Sequence, residues 1–221
     1  MKDLRPVRGT YYIASLIAEG EHEHQDFKYS ISDARKIARS ISAFANNDGG
    51  RLLIGVKDNG VVAGVRNEED IFVVEQAAEL YCVPEIEVRP TAFRVDGGLV
   101  VIRVEVDAAS GSRPVMVKEA DGRHRAYYRV ADENIVAPDL MVRSWRESSA
   151  DRLFRIGEAE RSAISLLHTT GYLTAGLLAS EAGISQASAE EILISLYSME
   201  LVRWHYTDGS FRLIPAAHEK V

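Results

Sequence analysis

Residues 41–60 read ISAFANNDGGRLLIGVKDNG, a helical pattern followed by two glycine-rich turns around an apolar strand. The glycines either hold a phosphate or only turn the backbone. A phosphate loop runs from a strand into the N-terminus of a helix, where backbone N–H groups and the helix dipole meet the anion. Here the helix comes first and leads through Gly49 and Gly50 into the strand. Because this order is inverted, we expect turns and no nucleotide cofactor.

The composition is that of an ordinary globular chain. Its 221 residues, 46% hydrophobic and 27% charged, suffice for one large or two small cores. No apolar run approaches the roughly 18 residues of a membrane span, and the N-terminus lacks the apolar core of a signal peptide, so we expect a cytoplasmic protein without membrane contact. One cysteine, Cys82, excludes an internal disulfide and a cysteine-rich zinc site. The net charge of −7 limits nucleic-acid binding to a local basic patch.

Helix and strand patterns alternate along the first two thirds of the chain. Apolar residues at helical spacing predict helices over 9–19, 32–47, 67–82 and 138–146. Strand patterns occupy 24–31, 51–56, 61–65, 85–107 and 115–130. Asn59-Gly60 between two apolar runs is a strong hairpin signal. The fold class we predict is α+β, with a mixed, mainly antiparallel sheet and flanking helices in a domain over 1–147.

The end of the chain has a different pattern. Residues 148–157 are polar and predict a linker. Three helical patterns follow, and two strands then flank Asp208-Gly209, an order typical of a small winged helix-turn-helix domain, here over 158–221. Its predicted recognition helix carries Glu190 and Glu191 and no Lys or Arg, which would oppose DNA phosphates. We therefore expect this domain to serve dimerisation or partner contacts.

Three segments of the first domain resemble the AlbA-2 family, the Schlafen AlbA-like DNA-binding domain. They are EGEHEHQDFK at 19–28, ISAFANNDGGRLLIGVKDNGVVAGV at 41–65 and AYYRVADENIVA at 126–137. The resemblance covers about residues 10–137, and bacterial members commonly carry a C-terminal winged helix. It implies DNA or RNA as partner and a bacterial-type transcriptional regulator. Such domains often pair, so we expect a homodimer.

The resemblance also implies candidate catalytic residues. In the vertebrate Schlafen branch a related core cleaves structured RNA with three acidic residues. Carried over to this chain, Glu21 and Asp26 match the acidic pair, and Asp58 is the nearest acid after LLIGV. Such carboxylates hold Mg²⁺ or Mn²⁺ to activate water, with Lys28 steadying the phosphate. However, Asp26 stands where the family usually has Glu, and an acid at position 58 is also ordinary turn chemistry, so a solvated strand end and turn is the alternative interpretation.

Nucleic-acid contacts are predicted from basic and aromatic side chains. The densest basic group comprises Lys28, Arg35, Lys36 and Arg39. Arg35 and Arg39 lie four residues apart on one helix face, which suits phosphate contacts, although a plain solvated face is the alternative. Tyr128 and Arg129 lie on a strand and suit base stacking and phosphate binding. We favour a non-enzymatic binding protein without cofactor. A ribonuclease using Mg²⁺ or Mn²⁺ is the alternative, and a protein-interaction adaptor is the third.

Overall fold

The computed structural model describes residues 4–65, 69–109, 113–148 and 156–216, and the chain divides into two units, Met1–Ala137 and Pro138–Val221. The first unit contains, in chain order, β1 (Val7–Arg8), α1 (Thr10–Glu19), β2 (Gln25–Lys28), α2 (Ala34–Asn46), β3 (Gly50–Ile54), α3 (Glu69–Gln76), β4 (Cys82–Val83), β5 (Val88–Arg94), β6 (Val100–Val106), β7 (Met116–Lys118), β8 (His124–Val130) and β9 (Glu133–Val136). A π-helical turn, Ala77–Tyr81, follows α3, and a 3-10 turn, Asp96–Gly98, joins β5 to β6.

A five-stranded sheet with the order β1-β5-β6-β3-β2 forms the centre of the first unit. The pairs β5–β6 and β6–β3 are antiparallel, whereas β1–β5 and β2–β3 are parallel. Successive side chains of β3 face opposite sides of the sheet, as strand geometry requires. Leu52 and Ile54 join the core that contains α2, and Leu53 joins Ile13 of α1 and Phe27 in a second core. The α+β class with mainly antiparallel pairing is therefore confirmed.

The helix α2 also packs against a second sheet, which is antiparallel and has the order β4-β7-β8-β9. Asn46, at the end of α2, is fully buried. Its amide nitrogen donates to the carbonyl oxygens of Val115 and Tyr127 at 2.9 and 3.0 Å, and its oxygen accepts from the Val115 N–H at 2.8 Å. This asparagine of the NNDGG stretch therefore joins the helix to the second sheet.

The two glycines that follow have packing roles. Gly49 has φ +82, and a Cβ there would lie 2.9 Å from the carbonyl oxygen of Val106. A Cβ on Gly50 would lie 2.3 Å from Cδ1 of Phe44, a side chain with no exposed surface. Backbone turning and close approach thus account for both glycines, and the predicted passage from helix through turn into strand is present.

The turn predicted at Asn59-Gly60 is present, but the second strand of the predicted hairpin is not. The Gly60 N–H donates to the Lys57 carbonyl at 2.7 Å, but only the bridge Val56–Val62 continues the pairing. Residues 61–65 are not a strand, because β3 already pairs with β2 and β6. Residues 63–64 instead pack on Gly55, and the N–H groups of Ala63 and Gly64 both donate to the Gly55 carbonyl.

The second unit contains α4 (Asp139–Ser148), α5 (Glu158–Thr170), α6 (Ala175–Ala182), α7 (Gln186–Ser198), β10 (Val202–Thr207) and β11 (Ser210–Pro215). The last five elements are the predicted three helices and antiparallel hairpin. We placed α4 in the first domain, whereas the structure places it in the second unit. Trp204 Nε1 donates to Ser144 Oγ of α4 at 3.0 Å, and Arg143 pairs with Glu190 of α7 at 2.8 Å. Most of the predicted linker 148–157 lies outside the described residues.

Within the described ranges, no helix is long and apolar enough to cross a membrane.

Candidate functional site

A buried carboxylate, Asp26, lies at the centre of the predicted site. It is on β2 and only 3% exposed. Lys28 Nζ lies 2.7 Å from its Oδ2, and Arg129 Nη2 lies 3.4 Å from its Oδ1. Ser40 of α2 donates a hydrogen bond to Oδ2 at 3.2 Å. Burial of an unpaired carboxylate is energetically costly. Two cations and a hydroxyl offset this cost for Asp26.

Arg129 is 1% exposed, so our prediction that it contacts nucleic acid is wrong for this structure. Its guanidinium points inward from β8, donates to Asn134 Oδ1 at 3.0 Å and to the Gln25 carbonyl at 3.3 Å, and lies 5.4 Å from the Phe44 ring centroid. Its backbone N–H donates to Asn47 Oδ1 at 3.1 Å. These contacts make Arg129 a structural residue that stabilises the charge of Asp26.

Glu21 lies beside Asp26 and closes the edge of the sheet. Its Oε1 accepts a hydrogen bond from the Phe27 N–H on β2, the outermost strand, at 2.9 Å. Lys28 Nζ donates to the Phe27 carbonyl at 2.9 Å. Burial, followed by the hydrogen bond to Asp26, raises the pKa of Glu21 above its usual range. Glu21, which precedes β2 in the chain, and Lys28 of β2 thus satisfy backbone polar groups that another strand would otherwise pair with.

The third predicted acid is not part of this group. Asp58 is exposed on the turn after β3. Within the part of the chain that the structure describes, no three His, Cys, Asp or Glu side chains lie where they could hold a metal ion together. The Asp26 carboxylate is also already matched by Lys28 and Arg129. The structure therefore brings together Glu21 and Asp26 only, and this donor set does not fit Mg²⁺ or Mn²⁺ as it stands.

Arg39 pairs with a buried carboxylate, while its own side chain is 39% exposed. Its Nε and Nη2 donate to the two carboxylate oxygens of Glu119 at 2.9 and 2.7 Å. Tyr127 donates its hydroxyl proton to Glu119 Oε1 at 2.5 Å. The hydrogen bonds from Arg39 hold the pKa of Glu119 below its usual range. The Arg39 guanidinium, which we predicted to contact phosphate, is therefore already engaged by Glu119.

The start of α2 is already capped. The Asp33 carboxylate accepts from the backbone N–H groups of Arg35 and Lys36 at 2.9 and 3.4 Å, so these helix N–H groups are occupied. The Arg35 guanidinium lies 4.8 Å from the Tyr81 ring centroid. Lys36 points to solvent. Of these residues, Lys36 is the cation most accessible to a ligand.

Two side chains that the sequence analysis missed, Tyr29 and Lys57, lie where β2 and β3 end. These strands are parallel, with Lys28 opposite Ile54, so the chain leaves both at one edge of the sheet. There Lys57 Nζ lies 5.5 Å from the ring centroid of Tyr29, which is 39% exposed. We call these two residues, together with Lys28 at the end of β2 and Lys36 in the first turn of α2, the carboxyl edge. Ligands commonly bind beyond the carboxyl ends of parallel strands. The sequence did not show that β2 and β3 are parallel, so it could not indicate that these side chains lie at one edge.

Tyr128 is half-buried on β8, opposite Ile135 of β9 in the second sheet. It does not belong to the carboxyl edge.

Comparison with solved structures gives two similar chains of low identity. The DIP2311 protein from Corynebacterium diphtheriae is 20% identical, with 71% of this chain and 32% of that chain covered and a TM-score of 0.46. The N-terminal domain of a protein related to the ATP-dependent DNA helicase RecG, from Nitrosomonas europaea, is 21% identical, with 67% and 96% covered and a TM-score of 0.41. This chain thus spans about a third of the DIP2311 chain. It has no match among the curated proteins.

The comparison with protein families identifies the first unit. The Schlafen, AlbA_2 model matches residues 21–138, which include β2, α2, β3 and the second sheet. This match contains the acidic pair, the glycine stretch and all four residues of the carboxyl edge. Because it extends over more than half of the sequence, the chain belongs to the Schlafen AlbA_2 family.

Proposed function

We propose that this protein is a non-enzymatic nucleic-acid-binding protein, a transcriptional regulator of bacterial type that acts as a homodimer and contacts DNA or RNA through the carboxyl edge. The observation that carries the proposal is the placement of Lys28, Tyr29 and Lys57 at the ends of β2 and β3. Lysines contact phosphates as point charges, and a tyrosine ring offers a stacking face to a base. The nucleic-acid association implied by the family resemblance points the same way.

The exposed lysines of the carboxyl edge are few, which supports a contact with only a few phosphates. Lys36 and Lys57 are exposed, whereas Lys28 shares its charge with Asp26. Each phosphate that a lysine neutralises releases a counterion, so binding weakens as salt rises. With a net charge of −7, the rest of the chain repels a polyanion, and we expect weak, salt-sensitive binding.

The second unit supports a role in partner contacts. The order of three helices and a hairpin supports the winged helix-turn-helix assignment. Its third helix, α7, carries Glu190 and Glu191, and Arg143 of α4 pairs with both. A helix whose first half is acidic and held by another helix is unsuited to enter the major groove. We therefore assign the winged helix to dimerisation or partner contacts.

Fluorescence anisotropy tests the binding proposal. Labelled single-stranded RNA, single-stranded DNA and duplex DNA are titrated with the full chain at several salt concentrations. We expect affinity to fall with salt, and Lys36→Ala and Lys57→Ala each to reduce the logarithmic salt slope by about 0.7–0.9. Arg123→Ala, which removes an exposed cation from the turn between β7 and β8, is the matched control and should leave the slope unchanged. Absence of binding to every probe would refute the proposal and favour a protein-interaction adaptor.

A metal-dependent ribonuclease is the second candidate, because Glu21 and Asp26 lie side by side. We expect no efficient cleavage, since the charge of Asp26 is matched by Lys28 and Arg129. The test is incubation of the full chain with structured RNA and Mn²⁺. Cleavage that disappears in both Asp26→Asn and Glu21→Gln, with folding and RNA binding retained, would establish the nuclease and reject the non-enzymatic assignment.

A further inference from the structure

Four of the five strands of the first sheet run in the same direction. The pairs β2–β3 and β1–β5 are parallel, and β6, which lies between these pairs, is antiparallel to both β3 and β5. Ile54 of β3 lies opposite Ile102, and Arg94 of β5 lies opposite Val100, both near the start of β6. The carboxyl ends of β1, β5, β3 and β2 therefore all lie at one end of the sheet.

A cation is present at or just beyond the carboxyl end of each of these four strands. The last residues of β2, β5 and β1 and a residue of the loop after β3 supply them: Lys28, Arg94, Arg8 and Lys57. Exposed acids lie at the opposite end of the sheet, before β2, β3 and β5 and after β6: Glu23, Asp48, Glu87 and Asp107. The arginines near that end, Arg51 and Arg89, pair with Glu19 and Asp107. The charge of the sheet ends thus directs a polyanion to the carboxyl end.

Arg8 and Arg94 lie side by side at this end. They are direct neighbours in the register of the parallel pair β1–β5. Neighbouring strands are about 4.8 Å apart, and residues in register point to the same face of the sheet. The two side chains therefore bring two positive charges together.

Neither arginine is neutralised within the part of the chain that the structure describes. Both are exposed, and neither pairs with a carboxylate there. Asp96, two residues after Arg94, instead accepts a hydrogen bond from Thr10 Oγ1 at 3.1 Å. Most described arginines of the first unit, for example Arg39, do have a carboxylate partner. Because adjacent like charges repel each other, an anion bound between Arg8 and Arg94 would relieve this repulsion.

We propose that Arg8 and Arg94 form a phosphate-binding site, and that a nucleic acid bound at the carboxyl edge continues along the same end of the sheet to this site. Guanidinium groups bind phosphate oxygens through paired N–H donors, which lysine lacks. The outermost strands, β1 and β2, are four strand spacings or about 19 Å apart. The ligand that reaches both is therefore an oligonucleotide and not a mononucleotide.

The source of the phosphate rests on the proposed function, whereas the site itself does not. A free phosphate compound would bind the two arginines by the same chemistry.

Fluorescence anisotropy of the full chain tests the site with a labelled single-stranded oligonucleotide long enough to span the sheet. The double variant Arg8→Gln with Arg94→Gln should reduce the logarithmic salt slope by about 0.7, the value for one phosphate contact on a single strand. Arg123→Gln with Arg161→Gln is the matched control, because it makes the same change in net charge at two exposed positions and should leave the slope unchanged. Equal slopes for the two double variants would overturn the proposal.

A charge-conserving variant separates binding from a structural role. Arg8→Lys with Arg94→Lys keeps both charges and should retain the wild-type salt slope. Loss of slope equal to that of the glutamine variant would show that the arginines act through the fold and would refute the phosphate site.

Inorganic phosphate is the second probe, with sodium chloride at equal ionic strength as its control. In amide NMR spectra of the full chain, phosphate should shift the N–H signals of Arg8, Gly9 and Arg94 in wild type but not in the glutamine variant. Such shifts without binding of any oligonucleotide would support the arginine site and refute the nucleic-acid assignment. Oligonucleotide binding with an unchanged slope in the glutamine variant, and no phosphate shift, would refute the arginine site alone.

Discussion

Substitution of Arg129 by methionine tests whether this residue stabilises the fold or contacts nucleic acid. Methionine keeps a long, flexible side chain and removes the guanidinium. The hydrogen bonds to Asn134 and Gln25 are lost, together with the 3.4 Å contact with Asp26. The Asp26 side chain, at 3% exposure, would then contact one cation, Lys28, in place of two.

The expected loss follows from these contacts. Removal of one partner from a buried ion pair costs about 3–5 kcal/mol in free energy of unfolding. We expect the lower end, about 3 kcal/mol, because Lys28 Nζ remains 2.7 Å from Asp26 and methionine still packs on Phe44. Since a whole domain is stable by only about 5–15 kcal/mol, such a loss would be easily measured.

Urea unfolding followed by circular dichroism measures the effect. Arg123→Ala, an exposed arginine in the same unit, should change the free energy of unfolding by less than about 0.5 kcal/mol. Asp26→Asn added to Arg129→Met should recover part of the loss, because it removes the uncompensated charge. A change below about 1 kcal/mol in Arg129→Met, together with weakened nucleic-acid binding, would refute the structural role.

Glu119→Gln should lower the free energy of unfolding by about 1–3 kcal/mol at neutral pH by weakening the contact with Arg39. Because the pKa of Glu119 is lowered by folding, wild type should lose this advantage as pH falls through that pKa, and an equal difference at neutral and acid pH would contradict the argument. The pKa of Glu21 is raised by folding, so the free energy of unfolding of wild type should fall as pH rises through that pKa. Glu21→Gln cannot titrate there, so its free energy of unfolding should not show this fall over the same pH range. Gly50→Ala should lower stability by about 1–3 kcal/mol, because its Cβ would meet the buried ring of Phe44; an unchanged melting temperature would show that the ring can move.

Local sequence patterns predicted most helices and strands because their signals are short in range. The helical spacing over 32–47, the glycine turn after it and the three helices with a hairpin at the end of the chain all correspond to elements of the structure. The hairpin at Asn59-Gly60 failed because a turn signal does not specify which strand becomes the neighbour. There β3 pairs with β2 and β6, and these partners are fixed by the sheet as a whole.

The candidate site was also predictable only where its residues are close together in the sequence. The family segment at 19–28 identified Glu21, Asp26 and Lys28, which do lie together. Residue type alone could not show that Arg129 turns inward or that Arg39 is bound by Glu119, because both partners are distant in sequence. Buried ion pairs and exposed phosphate ligands use the same residue types, and only the packing separates them.

Hydrogen exchange of the full chain, with and without a single-stranded oligonucleotide at low salt, tests the central claim most directly. The proposal predicts that bound nucleic acid slows amide exchange at residues 28–36 and 55–60, which form the carboxyl edge and its loops, and leaves the β7–β8 turn around Arg123 unchanged. Protection confined to the second unit, or no protection at saturating oligonucleotide, would contradict a nucleic-acid contact at the carboxyl edge.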